Sequence, residues 1–139
     1  MANYTQSNQL SLKNTVYSDL DISFTSHPIT GKLTVLKNAE AVKRALKNLI
    51  LTKKFERPYE PLYGTNVVYS LFENFDNLTV TYLRNEIKQA IQNFEPRVTL
   101  NDIKIQADDD NNLLIIKIYF FVNNQTEPVE LTITTERIR

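Results

Sequence analysis

Glu95 and Arg97 stand on either side of Pro96, where a helical apolar stripe gives way to alternating sequence. An acid and a base at that spacing can pair with each other or with a partner. Left unpaired beside an apolar junction, both would be costly. Other chemistry-bearing residues offer less. The run Asp108-Asp109-Asp110-Asn111-Asn112 is acidic, but it has neither the central glycine nor the distal glutamate of a calcium loop, and it reads as a solvated hairpin turn. His27 is the single histidine and precedes Pro28, so it reads as a turn residue; one imidazole supports neither a histidine-pair metal site nor a Ser-His triad. There is no cysteine, which excludes disulfides, thiolate catalysis and cysteine-bound metals. Lys43, Arg44, Lys47, Lys53, Lys54 and Arg57 form a basic stretch, but Val42, Ala45, Leu46 and Leu49 facing inward make it the wet side of a helix. No catalytic residue, metal or cofactor is expected.

The elements that hold Glu95 and Arg97 follow from periodicity. Val80, Leu83, Ile87, Ala90, Ile91 and Phe94 recur three or four apart and share one helical face. Pro96 lacks an N–H and disfavours α geometry at Glu95, so the helix should end near Phe94 after starting at Asn77 or Thr79. Three strands should follow. The first runs from Val98 to Ala107 with a parity shift, and so a bulge, around Asn101-Asp102. The second, Leu113 to Val122, is a nearly continuous apolar run that reads as the buried central strand. In the third, Val129, Leu131 and Ile133 alternate with polar neighbours.

Earlier in the chain, residues 1 to 18 are polar and aperiodic and read as a flexible or partner-ordered arm. A short strand at Ile22 to Ser26 should turn at residues 27–31 and pair with Lys32 to Leu36. Asn38 offers an N-cap for a helix from about 39 to 52. The segment from Phe55 to Gly64 has two prolines, a glycine and two tyrosines, and reads as an ordered extended loop. Val67 to Phe75 should form a short helix beneath it. The fold class expected is α+β: one domain over residues 19–139, with a small, mainly antiparallel sheet packed against two long helices.

At 139 residues the chain suits one domain with its own core. Sixteen basic and 16 acidic residues give zero formal charge, so bulk electrostatics draw it neither to nucleic acid nor to an anionic membrane. The first residues show no leader, and no apolar run approaches about 18 residues, so use in a cytoplasm or in an assembly built there is expected. The last strand ends with no further helix, which leaves an edge with unpaired N–H and C=O groups. Such an edge is either kept harmless by Glu130, Glu136 and Arg137 or left open for another chain to add a strand.

At Phe94-Glu95-Pro96-Arg97-Val98 the chain resembles the sheath-initiator, or baseplate-wedge, family of contractile phage tails, which includes the corresponding type VI secretion component. A second block, Glu56-Arg57-Pro58 followed by Pro61, Gly64 and Leu71-Phe72, is similar to the family's Gly-Glu-Arg-Pro…Pro-x-x-Gly…Leu-Phe pattern. Phe55 stands where the family has glycine. The likeness spans roughly residues 20 to 137. It implies a structural virion protein of the tail baseplate, assembled in the host cytoplasm. The implied partners are other wedge proteins and tail sheath subunits in sixfold symmetry around the tail tube, with no nucleic acid or membrane. Sheath assembly would begin by strand exchange. On this reading Glu95, Pro96, Arg97, Leu131, Ile133 and Glu136 contact partners, while Glu56, Arg57, Pro58, Pro61 and Gly64 form a structural motif. Family members also carry a lysozyme-like label. Peptidoglycan hydrolysis is therefore the alternative, with Glu73, Asp76 and Glu95 as candidate carboxylates. Arg97 beside Glu95 argues against a general acid there.

Overall fold

The computed structural model describes residues 17–72, 76–108, 111–123 and 125–136. A three-stranded antiparallel meander forms the centre, in the order β3 (Val98–Asp108), β4 (Leu113–Val122), β5 (Pro128–Glu136). One face of this sheet carries two helices, α1 (Ala39–Leu51) and α3 (Asn77–Phe94); α3 lies over β3 and α1 reaches β5. The expected α+β class, with an antiparallel sheet against two helices, is what the chain adopts.

The core follows the apolar stripes. Val42, Leu46, Leu49 and Ile50 of α1 meet Leu83, Ile87, Ala90 and Ile91 of α3 above Leu114, Ile116, Ile118 and Phe120 of β4. Each large side chain fully buried there contributes about 1.5–3 kcal/mol relative to exposure. The register shift between Leu100 and Asp102 is the bulge that the change of parity demands. Before it Val98 and Leu100 are half-buried; after it Ile103 and Ile105 take the inward positions. Strand β4 is central, but only one of its faces is fully buried. Leu113, Ile115, Lys117, Tyr119 and Phe121 on the other face are half-buried, so its nearly continuous apolar run reflects partial cover by neighbouring side chains.

Several expectations near the amino end need correction. The first strand is β1 (Ser18–Leu20), paired with β2 (Val35–Lys37), rather than Ile22 to Ser26. The Asp21 carboxylate accepts hydrogen bonds from the Ser23 backbone N–H and hydroxyl, and the Phe24 N–H bonds the Asp21 carbonyl. Those bonds turn the chain where extension was expected. Nearer the turn the expected pairing holds: Ser26 bridges to Leu33, the Thr34 N–H bonds the Thr25 carbonyl, the His27 N–H bonds the Lys32 carbonyl, and the Gly31 N–H closes the turn on the His27 carbonyl. Asn38 precedes α1 but makes no side-chain cap, because its Oδ1 accepts the Tyr17 N–H at 3.3 Å. Tyr17 and Ser18, the end of the expected arm, are thus bonded to the domain, and the rest of that arm lies outside the described residues. The short helix is only α2 (Val67–Ser70); Phe72 after it is exposed, and Phe75 lies outside the described residues.

Candidate functional site

The helix-to-strand junction is built by the sequence that ends α3. The Asp76 carboxylate starts this helix by accepting the Thr79 N–H at 2.7 Å. Its last turn closes when the Glu95 N–H bonds the Ile91 carbonyl at 2.9 Å. Pro96 then forbids continuation, and the Val98 N–H returns to the Glu95 carbonyl as β3 begins. Across this tight turn Arg97 grips Glu95 bidentately, Nε to Oε1 at 2.5 Å and Nη2 to Oε2 at 2.7 Å. The Glu95 side chain is 6% exposed and that of Arg97 34%. This carboxylate holds the Arg97 guanidinium above its ordinary value. The outer face of Arg97 lies over the Tyr17 ring, 5.4 Å from its centroid.

The proline-rich segment reaches the same place. Glu56 Oε2 accepts the Lys53 N–H at 3.0 Å, and the Phe55 N–H bonds the Pro61 carbonyl at 2.8 Å, so the loop folds on itself. The Thr65 N–H then bonds the Thr52 carbonyl, and the Thr65 hydroxyl donates to the Ile50 carbonyl at 2.6 Å. That return forces glycine at position 64. Its φ is +111°, and a Cβ there would sit 2.4 Å from the Thr52 carbonyl oxygen. Phe55 also has a positive φ, 66°, which explains why glycine would suit that position. Arg57 stacks on Tyr63 at 3.8 Å, and Tyr63 meets Phe94 edge-on at 5.3 Å. Burial raises the Tyr63 phenol above its ordinary value, with the Glu95 charge adding and Arg57 opposing. The two sequence blocks therefore meet at the end of α3: Arg57 stacks on Tyr63 and Tyr63 on Phe94, whose chain neighbour Glu95 is held by Arg97.

A second buried pair escaped the sequence reading. Glu86 on α3 accepts from Lys54 Nζ at 2.6 Å and from the Asn66 N–H at 3.3 Å, tying the loop to the helix from beneath. The signal was present: Glu86 falls among Leu83, Ile87 and Ala90 on the apolar face, where a lone charge needs a partner. The basic stretch disperses into local contacts. Lys43 meets Glu40, Arg44 meets Asp21 at 2.7 Å, Lys53 lies over Tyr69, and Lys54 and Arg57 are engaged as described.

The other expected contact residues are distributed along β5. Leu131 and Ile133 turn their side chains into the core, which takes those side chains out of reach of a partner, while Glu136 is exposed. Pro96 is exposed and Glu95 is buried. Of the candidate carboxylates, Asp76 caps α3, Glu95 is held by Arg97, and Glu73 lies outside the described residues. A groove of about 420 Å³ between α3 and β3 has one carboxylate, Asp102, beside Arg84 and Lys88. A smaller one of about 210 Å³ contains Glu86, already paired with Lys54. Neither places two carboxylates across a cleft. Among the described residues no group of acidic or histidine side chains could hold a metal ion.

With this geometry in hand, residues 37–127 match the family model for baseplate wedge protein gp25. The chain is 28% identical over 120 residues to baseplate wedge protein gp25 of Enterobacteria phage T4, covering 84% of this chain and 88% of that protein. It is similar to a chain in the baseplate structure of the anti-feeding prophage, at 27% identity and a TM-score of 0.66, covering 80% of this chain and 89% of that one. The crystal structure of a putative tail lysozyme from Geobacter sulfurreducens shares the fold. There the TM-score is 0.68 at 22% identity, over 76% of this chain and 97% of that one.

Proposed function

This chain belongs to the baseplate wedge protein gp25 family, and from that premise we propose that it is a structural wedge component of a contractile-tail baseplate, joining the baseplate to the sheath. It works by lending backbone. The observation that carries this reading is the β5 edge: β5 pairs with β4 on one side, and no described strand pairs with the other. A sheath subunit adds a strand there and the first sheath ring grows from it, with copies of this chain arranged sixfold around the tube. The open edge and the family membership both support this arrangement.

Other wedge proteins are the second class of partner, and they meet the Glu95-Pro96-Arg97 turn. Exposed Pro96 and the outer edge of the Arg97 guanidinium are what a neighbour can touch. Buried Glu95 fixes the direction in which that guanidinium points. The protein thus sits in the tail baseplate and is put together in the host cytoplasm.

No hydrolytic role is proposed, because each described candidate carboxylate is committed to a cap or an ion pair. Co-expression with the neighbouring tail proteins tests the whole reading. A stable complex in which the β5 amides exchange more slowly than in the free protein is the expected result. Clearing of cell walls by the pure protein, lost in Glu95→Gln, would overturn it in favour of hydrolysis.

A further inference from the structure

We propose that Glu130 and Glu136 make the β5 edge selective for a strand bearing Lys or Arg at two positions six residues apart. The inference rests on the strand-addition reading and adds the partner's chemistry. Along β5 the side chains divide into two rows. Val129, Leu131 and Ile133 face the helices and continue the core, whereas Glu130, Thr132, Thr134 and Glu136 face outward. A strand laid beside β5 continues both rows. Its inward residues extend the apolar floor, and its outward residues stand directly opposite Glu130, Thr132, Thr134 and Glu136.

Glu130 and Glu136 are both exposed, and among the described residues neither forms an ion pair. Among the described residues the Thr132 hydroxyl donates one long hydrogen bond of 3.4 Å to Glu130. Every other element of this edge favours pairing. The register with β4 runs unbroken from Pro128 to Glu136, and the proline occupies only the first position. Strand β3, the other edge of the sheet, is broken by its bulge, and its outward Lys104 already lies over the Tyr119 ring. Two carboxylates about 20 Å apart on a regular edge repel an acidic strand and pair with a basic one. On the inner row the Thr135 hydroxyl is buried without a hydrogen-bond partner, so a small polar residue beside it would complete that end. Because the spacing is the same read in either direction, the charge rule holds for a parallel or an antiparallel addition.

The test appends to the full chain, after Arg139, a flexible Gly-Ser linker and the strand Lys-Val-Thr-Val-Thr-Val-Lys. Two further versions carry Glu or Gln in place of both lysines. Amide hydrogen exchange over residues 128–136 is read in each. The Lys strand should slow exchange about tenfold more than the Glu strand, with Gln between them. The double substitution Glu130→Lys, Glu136→Lys should reverse that order, and Glu130→Gln, Glu136→Gln should erase it. Equal protection by all three strands would overturn the charge selection while leaving strand addition intact. Protection by none would overturn both.

Discussion

Removing Arg97 should hurt the free protein more than removing Glu95, although the two form one pair. In Arg97→Ala the Glu95 carboxylate, 6% exposed, keeps its buried place but loses both N–H donors that hold it. Breaking a buried pair in this way costs about 3–5 kcal/mol, and the opening left by the lost side chain admits some water, so about 2–4 kcal/mol is expected. In Glu95→Ala the remaining guanidinium is 34% exposed and still faces Tyr17, so it can rehydrate, and about 1–2 kcal/mol is expected. Replacing both by Met should recover most of the loss, because no buried charge remains. Urea unfolding followed by far-UV circular dichroism measures all three. With a slope of about 1–3 kcal/mol/M, the Arg97→Ala midpoint should fall by roughly 1–2 M. Equal losses below about 1 kcal/mol in both single variants, or a larger loss in Glu95→Ala, would refute the buried-pair reasoning. A folded Glu95→Ala protein that fails to join a wedge complex would show the pair aiming Arg97 at a neighbour.

Four further outcomes follow from the same geometry. Gly64→Ala should cost more than about 1 kcal/mol in thermal or urea unfolding, because φ is +111° and the new Cβ meets the Thr52 carbonyl. Phe55→Gly should leave stability unchanged or raise it by up to about 1 kcal/mol, whereas Phe55→Val should lower it, since φ is 66° and the phenyl ring is exposed. Lys54→Met should destabilise by about 2–3 kcal/mol by stranding Glu86, and Lys54→Met with Glu86→Met should be milder. Hydrogen bonds from Thr79 hold Asp76 below its ordinary value of 3.8, so its contribution is complete above that value and is lost as pH falls through and below it. Asp76→Asn should therefore flatten the acid limb of the stability profile below about pH 4, with little change in slope at neutral pH.

The central architecture was legible because each element has one strong local cause. The apolar stripe of α3, the stop at Pro96 and the parity change at Asn101-Asp102 each fix a boundary without help from the rest of the chain. The amino-terminal hairpin departs from its sequence pattern at Ile22 to Phe24, where side-chain hydrogen bonds at Asp21 outweigh strand-like residues, and hydrophobicity does not report such bonds. Asn38 stands at the N-cap position by spacing, but its side chain makes no cap. Its Oδ1 accepts the N–H of a residue 21 positions earlier, a contact with no local signature. At the candidate site the acid and base of the Glu-Pro-Arg turn could be named from sequence, but not whether they paired inside the chain. The stack that joins Arg57, Tyr63 and Phe94 could not be seen at all. Tyr63 and Phe94 are brought together only by the return of the loop at Gly64, which depends on a carbonyl at the end of α1.

The proposal that this sheet is completed by another chain's backbone is tested most directly by amide exchange over β5 with and without the proposed partner, a tail sheath subunit. The protein with the sheath subunit should show slowed exchange at alternate residues between Pro128 and Glu136, where N–H groups face away from β4. Unchanged exchange along β5 in a stable complex, with protection gathered only around residues 94–97, would contradict strand addition and leave the Glu-Pro-Arg turn as the sole contact.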